Sequence, residues 1–474
     1  MGPSPNPGLS YFALTAVAVG SMVGAGIFTL PRCFGVATGP AGALIAWTIT
    51  GIGMFALTRV FQAVSAKRPD LDAGIYAYAK EGSGNYAGFL AAFGYWFVAC
   101  IGDVAYWVLI TATLGSFFPA FGSGDTFPAL LLSTLGIWSF HLLILSGVKG
   151  AAVVNIVVTV AKIIPIMAFV ALLGQSFEGA VFAENFWGGA GRKEGDGLLH
   201  QIRATMLITV FVFIGVEGAN VYSRYAQRRS DVGKATISSF LFVLGLLLLV
   251  TLLPYGILPR SEIAALPQPS MAALLAVVVG GWGAIFISLG LLISILGAYL
   301  AWTLLAIEVL YIAARNGDMP RLLRRENQHG VPAASLWFST ITVQSLLLLS
   351  LLADDTIQLL LELSASMVLV PYFLVAVFAF KLAWRRRADE RFDMHCFIVA
   401  GIALIYTAGM VYAGGLTILL LSLLFYAPGT ILYVMIRREQ EARMFTAGEM
   451  VLCAVVILGG LAGLTGLCYG VITL

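Results

Sequence analysis

Residues Gly20 to Phe28 read GSMVGAGIF, inside an apolar run that extends from Leu14 to Leu30. Glycine in a helix interior costs roughly 1 kcal/mol relative to alanine, and here it recurs at positions 20, 24 and 26. Such a stretch either lets a neighbouring helix approach closely or frees backbone groups for a ligand. The small-xxx-small spacing of Gly20 and Gly24 serves the first purpose without any break. The second requires a cavity, because irregular backbone at membrane depth is tolerated only where it lines one or is buried in protein. The rest of the chain decides between them.

Hydrophobic residues make up 60% of the 474 residues and charged residues 11%, whereas soluble domains are about a quarter charged. Apolar segments of twenty or more residues recur in place of ten-residue alternating ones, so the fold class is an all-α integral membrane protein and not an outer-membrane barrel. Five cysteines lie in or beside apolar runs with no CxxC or histidine pairing, so neither a disulfide framework nor a metal site is expected. The first apolar run lacks a basic leader and passes straight into another span, which reads as a retained helix.

Thirteen candidate spans follow, near 10–34, 40–65, 86–118, 127–147, 151–174, 200–222, 236–258, 271–314, 333–353, 357–383, 396–412, 415–436 and 447–473. The eighth is too long for one crossing, so part of it is expected to form a loop helix. Lysines and arginines gather in alternate loops, from Lys67, Arg68, Lys80 and Lys149 through Arg224, Arg228, Arg229 and Arg315 to Arg386, Arg387, Arg391 and Arg437. Arg192, Lys193 and Arg260 are the main cations of the other loops, which carry acids such as Asp354 and Asp355. The positive-inside rule then puts the N-terminus in the cytoplasm.

A second glycine-interrupted span is the sixth, TVFVFIGVEGANVYS (Thr209–Ser223), where Gly215 and Gly218 flank Glu217. Interrupted spans at corresponding places of two halves mark inverted-topology repeats and a transporter's binding site. The expected halves are 10–174 and 200–383, followed by extra spans over 396–473, within a single domain. The half-helix N-terminus after the first break would present N–H groups and a positive dipole end to a carboxylate.

Intramembrane ionisable residues are functional candidates. Glu217 can attract a cationic group or hydrogen-bond freed backbone. Asp103, in the third span, can add negative charge to the same cavity or pair with a basic residue of a neighbouring helix. Lys162, in TVAKIIP of the fifth span, can occupy the place of a bound cation, act as a proton-linked switch, or bridge to Asp103 or Glu217. Glu308, nearer a span end, reads as structural. Tyr95, Trp96, Phe97, Phe211, Phe213, Trp302 and Tyr372 offer aromatic faces for a cation if they converge.

The stretches GSMVGAGIF, IGVEGA and PDLDAGIYAYAKEGSG (Pro69–Gly84) resemble the basic amino acid/polyamine antiporters of the amino acid–polyamine–organocation superfamily. FGYWF (Phe93–Phe97), TLGSFFP (Thr113–Pro119), TVAKIIP and the thirteenth span make the chain most similar to bacterial arginine:ornithine antiporters. The resemblance covers essentially the whole chain and implies two inverted five-helix repeats with discontinuous helices 1 and 6. It implies a substrate α-carboxylate at Ser21, Met22, Gly24, Ala25 and Gly26, an aromatic at Phe211, an acid at Glu217 and a tryptophan at Trp302. Superfamily members that use protons in place of sodium similarly carry a lysine where Lys162 stands. Ala25 stands where arginine:agmatine antiporters have a small hydroxyl residue, and Asp103 where they have an amide. Asp103 would favour a more cationic substrate.

The resulting expectation is a bacterial inner-membrane exchanger of external arginine for an internal basic amino acid or amine, foremost ornithine. Tyr95 and Asp103 join the expected binding residues, and Glu217, Lys162 and Tyr372 the gating or coupling ones. Arginine:agmatine or lysine/diamine exchange and a proton-coupled symporter are the rival readings. An enzyme is not expected, since His141, His200, His329 and His395 form no HExxH, and there is no GxxxxGK[ST]. Expected partners are a small basic amino acid or amine, the lipid bilayer and a second copy in a homodimer, without nucleic acid, cofactor or metal.

Overall fold

The computed structural model describes residues 10–68, 71, 75–147, 151–189, 197–217, 227, 229–352, 355–385 and 393–472. Gly218, Lys149, Arg192, Lys193, Arg224, Arg228, Asp354, Arg386, Arg387, Arg391 and the segments 69–70 and 72–74 of the PDLDAG stretch lie outside them. The chain opens with α1 (Tyr11–Met22), a tight 3₁₀ turn (Ala25–Thr29) and α2 (Leu30–Ala37), followed by α3 (Pro40–Lys67), α4 (Ile75–Ser83) and α5 (Asn85–Gly115). Next come α6 (Phe127–Leu145), α7 (Ala151–Gln175), the short α8 (Gly179–Asn185), α9 (Leu198–Phe211) and α10 (Arg229–Leu252). The remainder is α11 (Arg260–Ala265), α12 (Ser270–Val279), α13 (Gly281–Arg315), α14 (Ala333–Ser350), α15 (Thr356–Arg385), α16 (Met394–Glu439) and α17 (Ala447–Cys468).

Among the described residues nine helices are long and apolar enough to span a bilayer, and two bent pairs raise this to eleven. Thirteen were expected, and the two that this count does not reach fall at α16 and α9. Helix α16 has 46 residues but breaks at Gly415, whose φ of 79° is left-handed and suits glycine, so it makes two passes. Helix α9 is the described part of the sixth span. The long eighth segment divides at Gly280, φ 85°, into α12 and α13.

The helices begin where the sequence supplies starts. Pro40 occupies the first turn of α3, where its missing N–H is not needed. Thr446 and Glu449 form a reciprocal capping box on α17. Burial is graded as a bilayer requires: α5 is buried along nearly its whole length, whereas α17 exposes Val451, Val455, Leu458, Leu461 and Leu464 along one face. An apolar outer face of this kind is solvated by lipid. The chain is a multi-pass membrane protein with α5 at its centre. Glu308 is exposed on α13, so it is not one of the buried charges; only Glu217, Asp103 and Lys162 of the expected four are.

Candidate functional site

The chain leaves helical geometry at Val23–Gly24, and the axes before and after the break meet at 48°. In a continuous helix the Gly24 N–H would bond to the Gly20 carbonyl; here it bonds to Met22 O at 2.9 Å. Two carbonyls on the α1 side are then taken by Lys162 of α7, whose Nζ donates to Gly20 O and to Val23 O, each at 2.7 Å. Lys162 is 1% exposed. It makes no ion pair with Asp103 or Glu217 among the described residues; of the alternatives open for it, the bridge to an acid gives way to a cap on the broken helix. On the other side, the first N–H groups of the Ala25–Thr29 turn have no preceding helical carbonyl to bond to.

The second break lies against the first. After α9 the chain runs through turns over 212–217, and Ser21 Oγ donates to Gly215 O at 3.0 Å. Gly215 has φ 101°, and a Cβ there would come within 2.6 Å of Ser21 O. No side chain fits, so this glycine is required both for its backbone angle and for the contact.

Between the breaks is a cavity lined by Ser21, Met22, Gly24, Ala25 and Gly26 from the first, Phe211 and Ile214 from the second, Gly102 and Tyr106 from α5, and Trp302 from α13. Its volume is ≈ 30 Å³, room for about one water. The Phe211 and Trp302 rings form part of its wall. Gly24 and Gly26 bring the backbone up to this wall: added Cβ atoms would lie 3.2 Å from Tyr106 OH and 2.7 Å from Phe211 Cε1. Overpacking of this sort costs about 1–3 kcal/mol. Gly26→Ala is expected to weaken substrate affinity by about tenfold, read as KM for uptake.

Glu217 is 3% exposed and, like Tyr95 and Tyr372, is not among the residues that line the cavity. Its Oε1 accepts from the Tyr95 hydroxyl and its Oε2 from the Tyr372 hydroxyl, the latter at 2.7 Å. The Tyr95 ring lies 6.4 Å from that of Trp302, which joins this cluster to the cavity wall. Third, sixth, eighth and tenth spans thus meet here. Trp96, Phe97 and Phe213 do not converge on it: they pack on Phe338, Phe425 and Phe240 respectively.

Asp103 lies beside the site, outside the cavity wall. Its Oδ2 accepts from Thr303 Oγ1 at 2.8 Å, and its Oδ1, fully buried, has no hydrogen-bond partner among the described residues. Neither a lysine nor an arginine pairs with it among them. Tyr106 was not singled out in the sequence, although its spacing of four from Gly102 puts both on one face of α5. On α2, Arg32 pairs with Asp355 at 3.0 Å, both partly exposed.

A multi-pass helical protein with two broken spans in contact around a small central cavity is built as a transporter of small molecules. The chain matches the amino acid permease family over residues 9–459 and belongs to it; its class is a permease and not an enzyme. Among curated relatives, the arginine/ornithine antiporter of Pseudomonas aeruginosa is 44% identical over 471 residues, covering 98% of both chains. The arginine/agmatine antiporter of Chlamydia trachomatis is 38% identical over 469 residues, covering 97% of this chain and 96% of its own.

Proposed function

We propose that the protein exchanges external arginine for internal ornithine across a bacterial inner membrane, with its N-terminus in the cytoplasm. The observation that carries this reading is the polarity of the site. N–H groups at the start of the Ala25–Thr29 turn, which bond to no preceding helical carbonyl among the described residues, stand at one end, and the Glu217 carboxylate stands beyond the Trp302 and Tyr95 rings. An amino acid with a cationic side chain fits that polarity, its carboxylate at the first break and its cation toward Glu217. The near-full-length likeness to an arginine/ornithine antiporter supports the same pair. The matching breaks in the first and sixth spans support two inverted repeats over 10–174 and 200–383, one bundle rocking against the other. Because the site carries a carboxylate that a cationic guest balances, the empty carrier crosses slowly, and transport becomes exchange.

A second reading, exchange for agmatine or another diamine, is favoured by Asp103, whose spare carboxylate oxygen adds negative potential beside the cavity. Labelled arginine uptake into proteoliposomes loaded with ornithine, agmatine, lysine, arginine or buffer separates these readings. The expected result is fast uptake with internal ornithine and little into empty vesicles. Preference for agmatine over ornithine would select the second reading. Equal uptake into empty vesicles under a proton gradient would replace exchange by symport.

A further inference from the structure

We propose that a groove between α3, the end of α15 and the start of α16 holds the headgroup of an anionic phospholipid. The groove has an apolar wall that includes Val60, Val64, Leu382 and Val399, and a polar edge of Arg59, Lys67 and His395. Arg59, Ala63 and Lys67 are four residues apart along α3 and form a single stripe down one side of it. The half-buried Arg59 guanidinium has one hydrogen-bond partner among the described residues, the Gln62 amide oxygen at 3.4 Å. No carboxylate pairs with it there. A guanidinium carries five donors in a fork suited to phosphate, and one kept partly from water at a membrane edge calls for an anion.

Lys67 is only partly compensated. Its Nζ lies 3.1 Å from Cys396 Sγ and 3.9 Å from Asp393 Oδ2. The other oxygen of Asp393 is engaged in capping α16 through the Cys396 N–H at 3.2 Å. With two cations and one acid, the groove is net positive.

Depth argues for a lipid over a soluble anion. Trp384, next to the groove-lining Ala383, is 52% exposed, and its ring packs at 5.8 Å on Phe397 and 6.3 Å on Phe380. An exposed tryptophan on such a platform marks the headgroup level of the bilayer. The cations therefore sit where lipid phosphates lie, and the valine and leucine wall offers a bed for the first methylenes of an acyl chain. A zwitterionic headgroup would bring an ammonium back among Arg59 and Lys67, so a net negative headgroup is selected. This inference does not depend on which substrate pair the central site takes.

Native mass spectrometry of the purified full chain, titrated with phosphatidylglycerol or phosphatidylcholine, tests it. Phosphatidylglycerol is expected to bind more tightly, and Arg59→Gln to lower its affinity about fivefold, the usual worth of one basic side chain near a lipid surface. Phosphatidylcholine binding should not change. Leu382→Trp, which fills the groove with its cations intact, should lower phosphatidylglycerol binding as well, and it serves with Lys67→Gln if Arg59→Gln does not fold. Equal retention of phosphatidylglycerol by the wild type and these variants would overturn the proposal. Displacement of the lipid by millimolar glycerol 3-phosphate would also overturn it, in favour of a soluble phosphate.

Discussion

Glu217→Gln is expected to lower arginine uptake into ornithine-loaded vesicles by about 100-fold. Each carboxylate oxygen accepts one phenol hydroxyl, from Tyr95 and from Tyr372, and the carboxylate has the same burial as a core side chain. Hydrogen bonds to a charged group contribute about 1.5–3 kcal/mol each. Glutamine keeps one acceptor oxygen and turns an NH₂ toward the second phenol, whose oxygen accepts from it, so what is lost is the negative charge and the charge assistance to both bonds. A loss of about 3 kcal/mol corresponds to the hundredfold stated. Tyr95→Phe and Tyr372→Phe each remove a single donor and leave the charge, so a drop of about tenfold is expected from each. Substrate binding by calorimetry separates the two roles of Glu217: Glu217→Gln should weaken arginine binding more than either tyrosine variant. Uptake within threefold of wild type would remove Glu217 from the cation end of the site.

The sequence located the breaks because glycine clusters in apolar helices leave few alternatives, and Gly215 does lie against Ser21 beside the first break. What each break is for was less legible. The lysine in TVAKIIP could be seen as buried, but carbonyls carry no signature in a side-chain pattern. Its pairing with Gly20 O and Val23 O therefore emerges only from the packing of α7 on α1. Helical phase would have separated Asp103 from the cavity. Positions 98, 102 and 106 follow one another every four residues, and Asp103, one residue on from Gly102, is turned by about 100° from that line. The same phase would have pointed to Tyr106. Aromatic abundance misled in the other direction: with 12% Phe, Trp and Tyr in the chain, Trp96, Phe97 and Phe213 are packing residues, and only geometry distinguishes them from Tyr95, Phe211 and Trp302. The N-terminal cap of α17 and the Gly415 turn were written in short local motifs, which explains why span boundaries were easier to read than the site.

Lys162→Met should be at least as damaging as the loss of Glu217, for a different reason. Breaking α1 releases the Gly20 and Val23 carbonyls at the negative end of a half-helix, deep in the membrane, where no water replaces the missing N–H groups. The ammonium supplies both bonds at 2.7 Å. Methionine is similar in length and apolar, so it fills the space and leaves two buried acceptors unmatched, at about 1–3 kcal/mol each. Arginine uptake is expected to fall about 100-fold, and the melting temperature in detergent should drop, because the cost falls on the structure with or without substrate. That drop is the contrast with Glu217→Gln, whose main effect is on binding. Lys162→Arg keeps the charge but needs more room in a fully packed place, and only partial recovery is expected. The rival role, proton coupling, makes a different forecast. If Lys162 served only to couple a proton gradient, Lys162→Met would lose gradient-driven uptake while arginine-for-ornithine exchange continued at the wild-type rate. Measuring both modes in one proteoliposome preparation decides the matter: parallel loss identifies the lysine as the cap that holds the broken helix open for substrate, and selective loss identifies it as the coupling group.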